Sequence, residues 1–193
     1  MIDEAFFDQA IAFKQAGFST SFIDDDGFVR PKLEPDAVHL SAESQSFAKV
    51  VYRGWMLAPK EYWTLYHRVV SYGVDMLTTP EQYLAAHYLP NWYPILSRWT
   101  PNTEIFPVEW EEFIPGSETR YFVLNGRYFG QDVAFDLRAM RILDNIKNLI
   151  PSPFWSVDIA QRKDGEFRIV EIGDGQVSDI VGWTPERFAE IWK

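Results

Sequence analysis

The 193-residue chain contains no cysteine and only three histidines, His39, His67 and His87, set far apart. Disulfides and thiolate chemistry are excluded, and too few histidines are present for a histidine-built zinc centre. Basic residues are also scarce: 18 Lys and Arg against 28 Asp and Glu leave a formal charge of -10. A nucleic-acid backbone needs a basic face to neutralise it, so no nucleic-acid partner is expected. No run of about 18 apolar residues occurs, and Met1-Ile2-Asp3-Glu4-Ala5 is acidic where an export signal would be basic and then apolar. The expectation is a cytoplasmic protein without a membrane partner.

What is abundant is aromatic: Phe, Trp and Tyr make up 17% of the chain, with eight Trp. Together with ordinary totals of apolar and charged residues, this composition supports one sizeable core or two lobes of about 100 residues each. The commoner use of such aromatics is the core, while Trp92, Tyr93, Trp99, Phe106 and Trp110 could also form a binding surface.

Residues 1–101 read as an amino-terminal α/β lobe. Asp3 caps a helix that Gly17 stops, and Phe18 to Ile23 forms a short strand. Asp24-Asp25-Asp26-Gly27 is a turn lacking the ligand spacing of a calcium loop, and residues 28–46 are irregular. Ala48 to Tyr52 and Val74 to Leu77 read as strands, separated by a helix that opens at Pro59. Arg53, at the carboxyl end of the first of these strands, is a candidate anion contact, because open α/β sheets present ligand groups there. A plain salt bridge is the alternative. Another short helix starts at Thr79-Pro80-Glu81.

Residues 102–193 read as an antiparallel sheet with helices on one face. Strands are expected over Ile105 to Ile114 and Thr119 to Leu124. Asn125-Gly126 signals a two-residue hairpin turn that sets Arg120 opposite Gln131. A helix capped by Asp136 runs to about Leu149, and Thr184 with Pro185 opens a final one.

The most informative stretch is Phe154 to Asp179, FWSVDIAQRKDGEFRIVEIGDGQVSD. Asp164-Gly165 between alternating residues predicts a two-residue type I′ hairpin. That turn pairs Asp158 with Glu171 and Ala160 with Ile169. It puts Trp155, Val157, Ile159, Val170 and Ile172 on a core face, and Ser156, Asp158, Ala160, Ile169 and Glu171 on the other. Two carboxylates directly across a ladder destabilise it unless a positive group lies between them. A Mg²⁺ ion meets that need, and Arg162 or Arg168 on a solvated face is the alternative. Gly173-Asp174-Gly175-Gln176 adds a third carboxylate, Asp174, an amide, and two glycines suited to close approach of a ligand.

The order of Glu118-Thr119-Arg120-Tyr121-Phe122-Val123-Leu124-Asn125-Gly126, a helix, Val157-Asp158, a hairpin and Val170-Glu171-Ile172-Gly173-Asp174-Gly175 resembles the carboxyl-terminal lobe of ATP-grasp proteins. Tyr52-Arg53-Gly54-Trp55-Met56-Leu57, Thr79-Pro80-Glu81-Gln82-Tyr83 and Leu89-Pro90-Asn91-Trp92-Tyr93 are similar to the amino-terminal region of the clade defined by two arginines and one lysine. The resemblance implies an ATP- and Mg²⁺-dependent carboxylate-amine ligase working through an acylphosphate on a small carboxylate and an amine or peptide. It implies metal on Asp158 and Glu171 and a phosphate or carboxylate contact from Arg120; the ligase expectation built on it adds Asp174 to the metal, Gly173 and Gln176 to Arg120 as nucleotide contacts, and Arg53 to Arg120 as a catalytic residue.

Three departures stand out. The lysine-bearing lid subdomain has only Asn102-Thr103-Glu104 in which to lie, Glu111 stands where the family places an Arg before a Glu-Phe pair, and Gly173 stands where many members have an Asn. Without a lid, water reaches an acylphosphate. The second expectation is therefore a non-catalytic relative that binds a ligand or partner, and either a homo-oligomer or another chain supplying the lid would restore the first.

Overall fold

A computed structural model describes residues 3–23, 38–39, 49–102, 113–131 and 136–193. They fall into two compact units, Met1–Pro80 with Trp183–Lys193, and Glu81–Gly182.

In the first unit, helix α1 (Glu4–Gln15) begins where the Asp3 carboxylate accepts from the Ala5 N–H, and Gly17, at φ 92°, follows its end. Strands β1 (Phe22–Ile23) and β2 (Val38–His39) pair antiparallel, so part of the span expected to be irregular is a ribbon. Helix α2 (Pro59–Ser71) starts on proline, and the Ala58 N–H donates to the Glu61 carboxylate at 2.6 Å. Tyr62, Leu65 and Val69 form its buried stripe, and the Tyr62 hydroxyl donates to the Thr78 carbonyl at 2.8 Å. The strands expected at 48–52 and 74–77 are reduced, among the described residues, to one parallel bridge between Val50 and Met76. Its bonds run from Val50 N–H to the Asp75 carbonyl and from Leu77 N–H to the Val50 carbonyl. Helix α6 (Pro185–Glu190), capped by Thr184, packs on α1, with Phe188 fully buried.

The second unit holds a four-stranded antiparallel sheet in the order β4-β3-β5-β6, with β3 Thr119–Leu124, β4 Arg127–Phe129, β5 Phe154–Gln161 and β6 Phe167–Asp174. Helices α3 (Pro80–His87), α4 (Leu89–Leu96) and α5 (Leu137–Ile146) belong with it, although Pro80 itself falls to the first unit. Asn125 and Gly126 both take positive φ and join Leu124 to Arg127, as a type I′ turn requires. Strand β4 then ends at Phe129, short of Gln131, and the cross-strand neighbour of Arg120 is Asp158 of β5 instead. One face of the sheet carries Tyr121, Val123, Trp155, Val157, Ile159, Ile169 and Ile172 against Ala139, Leu143 and Ile146 of α5 and Trp92 and Leu96 of α4.

The β5–β6 hairpin corrects the expected register. Its loop closes with the Gly165 N–H on the Arg162 carbonyl and the Arg162 N–H on the Glu166 carbonyl. Only Gly165, at φ 90°, takes positive φ there, so Asp164 is not the first half of a type I′ pair. The ladder is therefore one residue out, with Ala160 opposite Arg168 rather than Ile169. A bulge between Ile159 and Asp158 then restores the offset and leaves Asp158 opposite Glu171. It also returns Ile169, not Val170, to the core face. The expected strand over Ile105 to Ile114 lies mostly outside the described residues; its last part is a bridge from Phe113 to Arg162.

Candidate active site

Residues at the same level of neighbouring strands lie side by side, and residues two apart on one strand share a face. Strand β3 pairs Arg120 with Asp158 of β5, and β5 pairs Asp158 with Glu171 of β6, giving a row of cation, acid and acid across three strands. Glu118, two residues before Arg120, comes to the same face. One carboxylate oxygen from each of Glu118, Asp158 and Glu171 lies within 4.8 Å of the others.

Asp158 is the buried member, with Glu118 and Glu171 exposed beside it. Arg120 grips Asp158 through both oxygens, Nε to Oδ1 at 2.8 Å and Nη2 to Oδ2 at 2.5 Å. Its Nη1 donates to the Asp179 carbonyl at 3.0 Å, and Nη2 is 3.6 Å from the Glu171 carboxylate. A planar guanidinium suits this two-pronged grip. The Asp158 hydrogen bond, the largest influence, holds the Arg120 pKa above its ordinary value.

One guanidinium does not balance three acids. Desolvation, followed by repulsion from Asp158, pushes the Glu118 carboxyl above the usual range. The same two causes, in the same order, raise Glu171, with Arg120 partly offsetting them. With all groups ionised, three negative charges face one positive charge. Hard oxygen donors with two negative charges in excess are the chemistry a divalent cation such as Mg²⁺ takes, so these residues fit that ion.

The face changes character along β5. Beyond Asp158, the Ser156 hydroxyl bonds the Ser178 hydroxyl at 2.7 Å, and the Phe154 and Phe122 rings stack at 5.8 Å. Ser178 also donates to the Asp174 carbonyl at 2.8 Å, which ties the segment after β6 back over the sheet.

Among the other sequence candidates, Gly173, two residues beyond Glu171 on β6, shares the acids' face and lies against Ser156 and Ser178. Asp174 is three residues beyond Glu171 and so faces away from the acids; it is buried and accepts from the Gln176 N–H and side-chain amide at 3.0 and 3.1 Å. Gln176 is fully buried with it. The glycines are approached by the protein itself: a Cβ on Gly173 would lie 2.6 Å from Ser178 Oγ, and one on Gly175 would lie 2.7 Å from the Phe154 ring. Arg53 is in the first unit, where it donates to Gln9 Oε1 at 2.9 and 3.2 Å and stacks 4.7 Å above Phe188. The residue that sequence reasoning passed over is Glu118. Its signal was its spacing of two from Arg120, which places both on one strand face.

The fold that carries this site is similar to that of the macrocyclase MdnB from Microcystis aeruginosa MRC, with a TM-score of 0.60 and 16% identity over 98% of this chain and 94% of that one. It is also similar to the macrocyclase MdnC of the same organism bound with precursor peptide MdnA, with a TM-score of 0.59 and 11% identity over 98% and 96%. The ATP-grasp ligase PsnB, in complex with a phosphomimetic variant of minimal precursor, Mg and ADP, gives 0.56 and 11% identity over 98% and 92%. No curated protein sequence matches the chain. The model for the ATP-grasp domain, family 3 of the clade defined by two arginines and one lysine, matches residues 34–191, most of the chain, and the protein belongs to that family.

Proposed function

We propose that this protein is an ATP- and Mg²⁺-dependent carboxylate-amine ligase whose substrate is a peptide, acting in the cytoplasm. The observation that carries the reading is the row formed by Arg120, Asp158 and Glu171 on three adjacent strands, with Glu118 alongside. Glu118, Asp158 and Glu171 are the residues that would hold Mg²⁺. ATP bound there would supply the phosphoryl group that activates a carboxylate for attack by an amine. Arg120 offers the guanidinium that orients phosphate or carboxylate oxygens. The peptide class is supported by the precursor peptides in the MdnC and PsnB structures. The division at residue 101, an amino-terminal lobe followed by an ATP-grasp-like lobe, belongs to the same proposal.

A second reading, a non-catalytic ATP-grasp relative, is favoured by one observation: both oxygens of Asp158 are already held by Arg120. Thermal unfolding with ATP, with and without Mg²⁺, tests binding, since a ligand of the folded state raises the midpoint. The expected result is a rise that needs both ligands and is lost in Asp158→Asn and Glu171→Gln. No rise at millimolar ATP overturns the nucleotide reading. Consumption of ATP on adding a candidate peptide separates ligase from binder.

A further inference from the structure

We propose that Arg120 holds the place of the divalent cation on Asp158 while the site is without ligands, and that nucleotide phosphates draw it away, so that cation and nucleotide bind as a coupled pair. This rests on the ATP-grasp reading of the same site.

Three observations carry it. Asp158 is 2% exposed, so its charge needs a partner at all times, and the guanidinium supplies one through both oxygens. A metal reaching Asp158 meets those same two oxygens already bonded, with a positive group fixed beside them. Arg120 is also not sealed inside a core: its side chain keeps 14% exposure, and its further contacts include a backbone carbonyl, that of Asp179, and the exposed Glu171. Phosphate oxygens offer a guanidinium the same two-pronged geometry as a carboxylate.

Exchange conserves pairing. If Arg120 moves to phosphate, Asp158 is left needing a cation, and the metal meets that need. Each ligand therefore lowers the obstacle to the other, and the coupling is reciprocal. Removing the arginine should therefore separate two effects: the protein loses stability, as in any deletion from a buried ion pair, while its affinity for a bare divalent ion rises, because three acids stand without the Arg120 charge beside them.

The test measures Mn²⁺ binding, without nucleotide, to the full chain by the loss of the free-ion paramagnetic resonance signal. Arg120→Gln is expected to bind Mn²⁺ about tenfold more tightly than the unsubstituted protein, the scale of a typical coupling. Unchanged or weaker binding overturns the proposal. Should Arg120→Gln not fold, Arg120→Lys keeps the charge but loses the two-pronged grip; it is expected to bind Mn²⁺ more tightly too, and equal affinity overturns the exchange. The second readout is the Arg120 Nε–H resonance, assigned by its disappearance in Arg120→Lys. It should shift when Mg²⁺ and a non-hydrolysable ATP analogue are added. If the analogue raises the unfolding midpoint but leaves this resonance in place, the exchange fails and the ATP reading survives. If the analogue does not bind, both fail.

Discussion

Asp158 is buried and satisfied, whereas Glu118 and Glu171 are exposed and strained against it, and this difference sets the pH behaviour of the ligand-free protein. Both glutamates hold protons more tightly when folded than at the ordinary value of 4.5. As pH rises from about that value through their raised values, the folded state carries more protons than the unfolded one, and stability falls. Both side chains are largely exposed, so solvent screens the effect, and the like-charge penalty is about 0.5 kcal/mol for each. Glu118→Gln with Glu171→Gln should therefore raise the unfolding midpoint in EDTA at pH 8 and flatten its decline between pH 5 and 8. A double variant whose midpoint falls in parallel with the original would show that the repulsion is not felt. The same substitutions remove proposed metal ligands, so stability gained without metal should accompany stability lost with Mg²⁺ and ATP.

At the level of elements, the β5–β6 hairpin shows what local patterning could and could not reveal. Turn residues and alternation located both strands, the cap at Asp136 and the facing acids. The turn type and the bulge were not legible, since each depends on which residue yields to tertiary packing. Asp164-Gly165 fits a two-residue loop, but the chain forms a longer one and recovers its register at Val170. Glycine was the other ambiguity. Spacing identifies Gly173 and Gly175 as sites of close approach, but not whether a ligand or the protein's own side chain comes near. Gly165, at φ 90° with nothing closer to an added methyl than Arg138 Nη1 at 3.9 Å, presents a backbone problem alone. Gly165→Ala should cost about 1 kcal/mol. At Gly175 the Phe154 ring, itself buried, stands 2.7 Å from the added carbon. Gly175→Ala should cost about 2–3 kcal/mol from overpacking. Urea unfolding should rank Gly175→Ala below Gly165→Ala, and the reverse order would mean that the Phe154 ring gives way freely.

Over the whole molecule, the two ends of the chain share one unit, an arrangement that patterning could not disclose. Asp3 and Thr184 announce helices, yet a cap marks where a helix starts and not what it packs against. The partner of α1 proves to be α6, joined through aromatic rings: Phe13 lies 5.9 Å from Phe188 and 6.3 Å from Trp192. Phe188 also meets Trp183 at 6.4 Å and underlies the Arg53 guanidinium, so one ring anchors three separate stretches of sequence. The high aromatic content serves burial here, and in Trp92 and Trp155 of the other unit. Phe188→Ala opens a cavity among groups that cannot all close on it, and a loss of about 3–4 kcal/mol is expected. Amide hydrogen exchange localises the damage. Protection should fall most in α1, Glu4–Gln15, and around Arg53, although these residues lie more than a hundred positions before the substitution. If α1 exchanged at its original rate while α6 alone lost protection, the aromatic join between the chain ends would contribute nothing to the stability of α1.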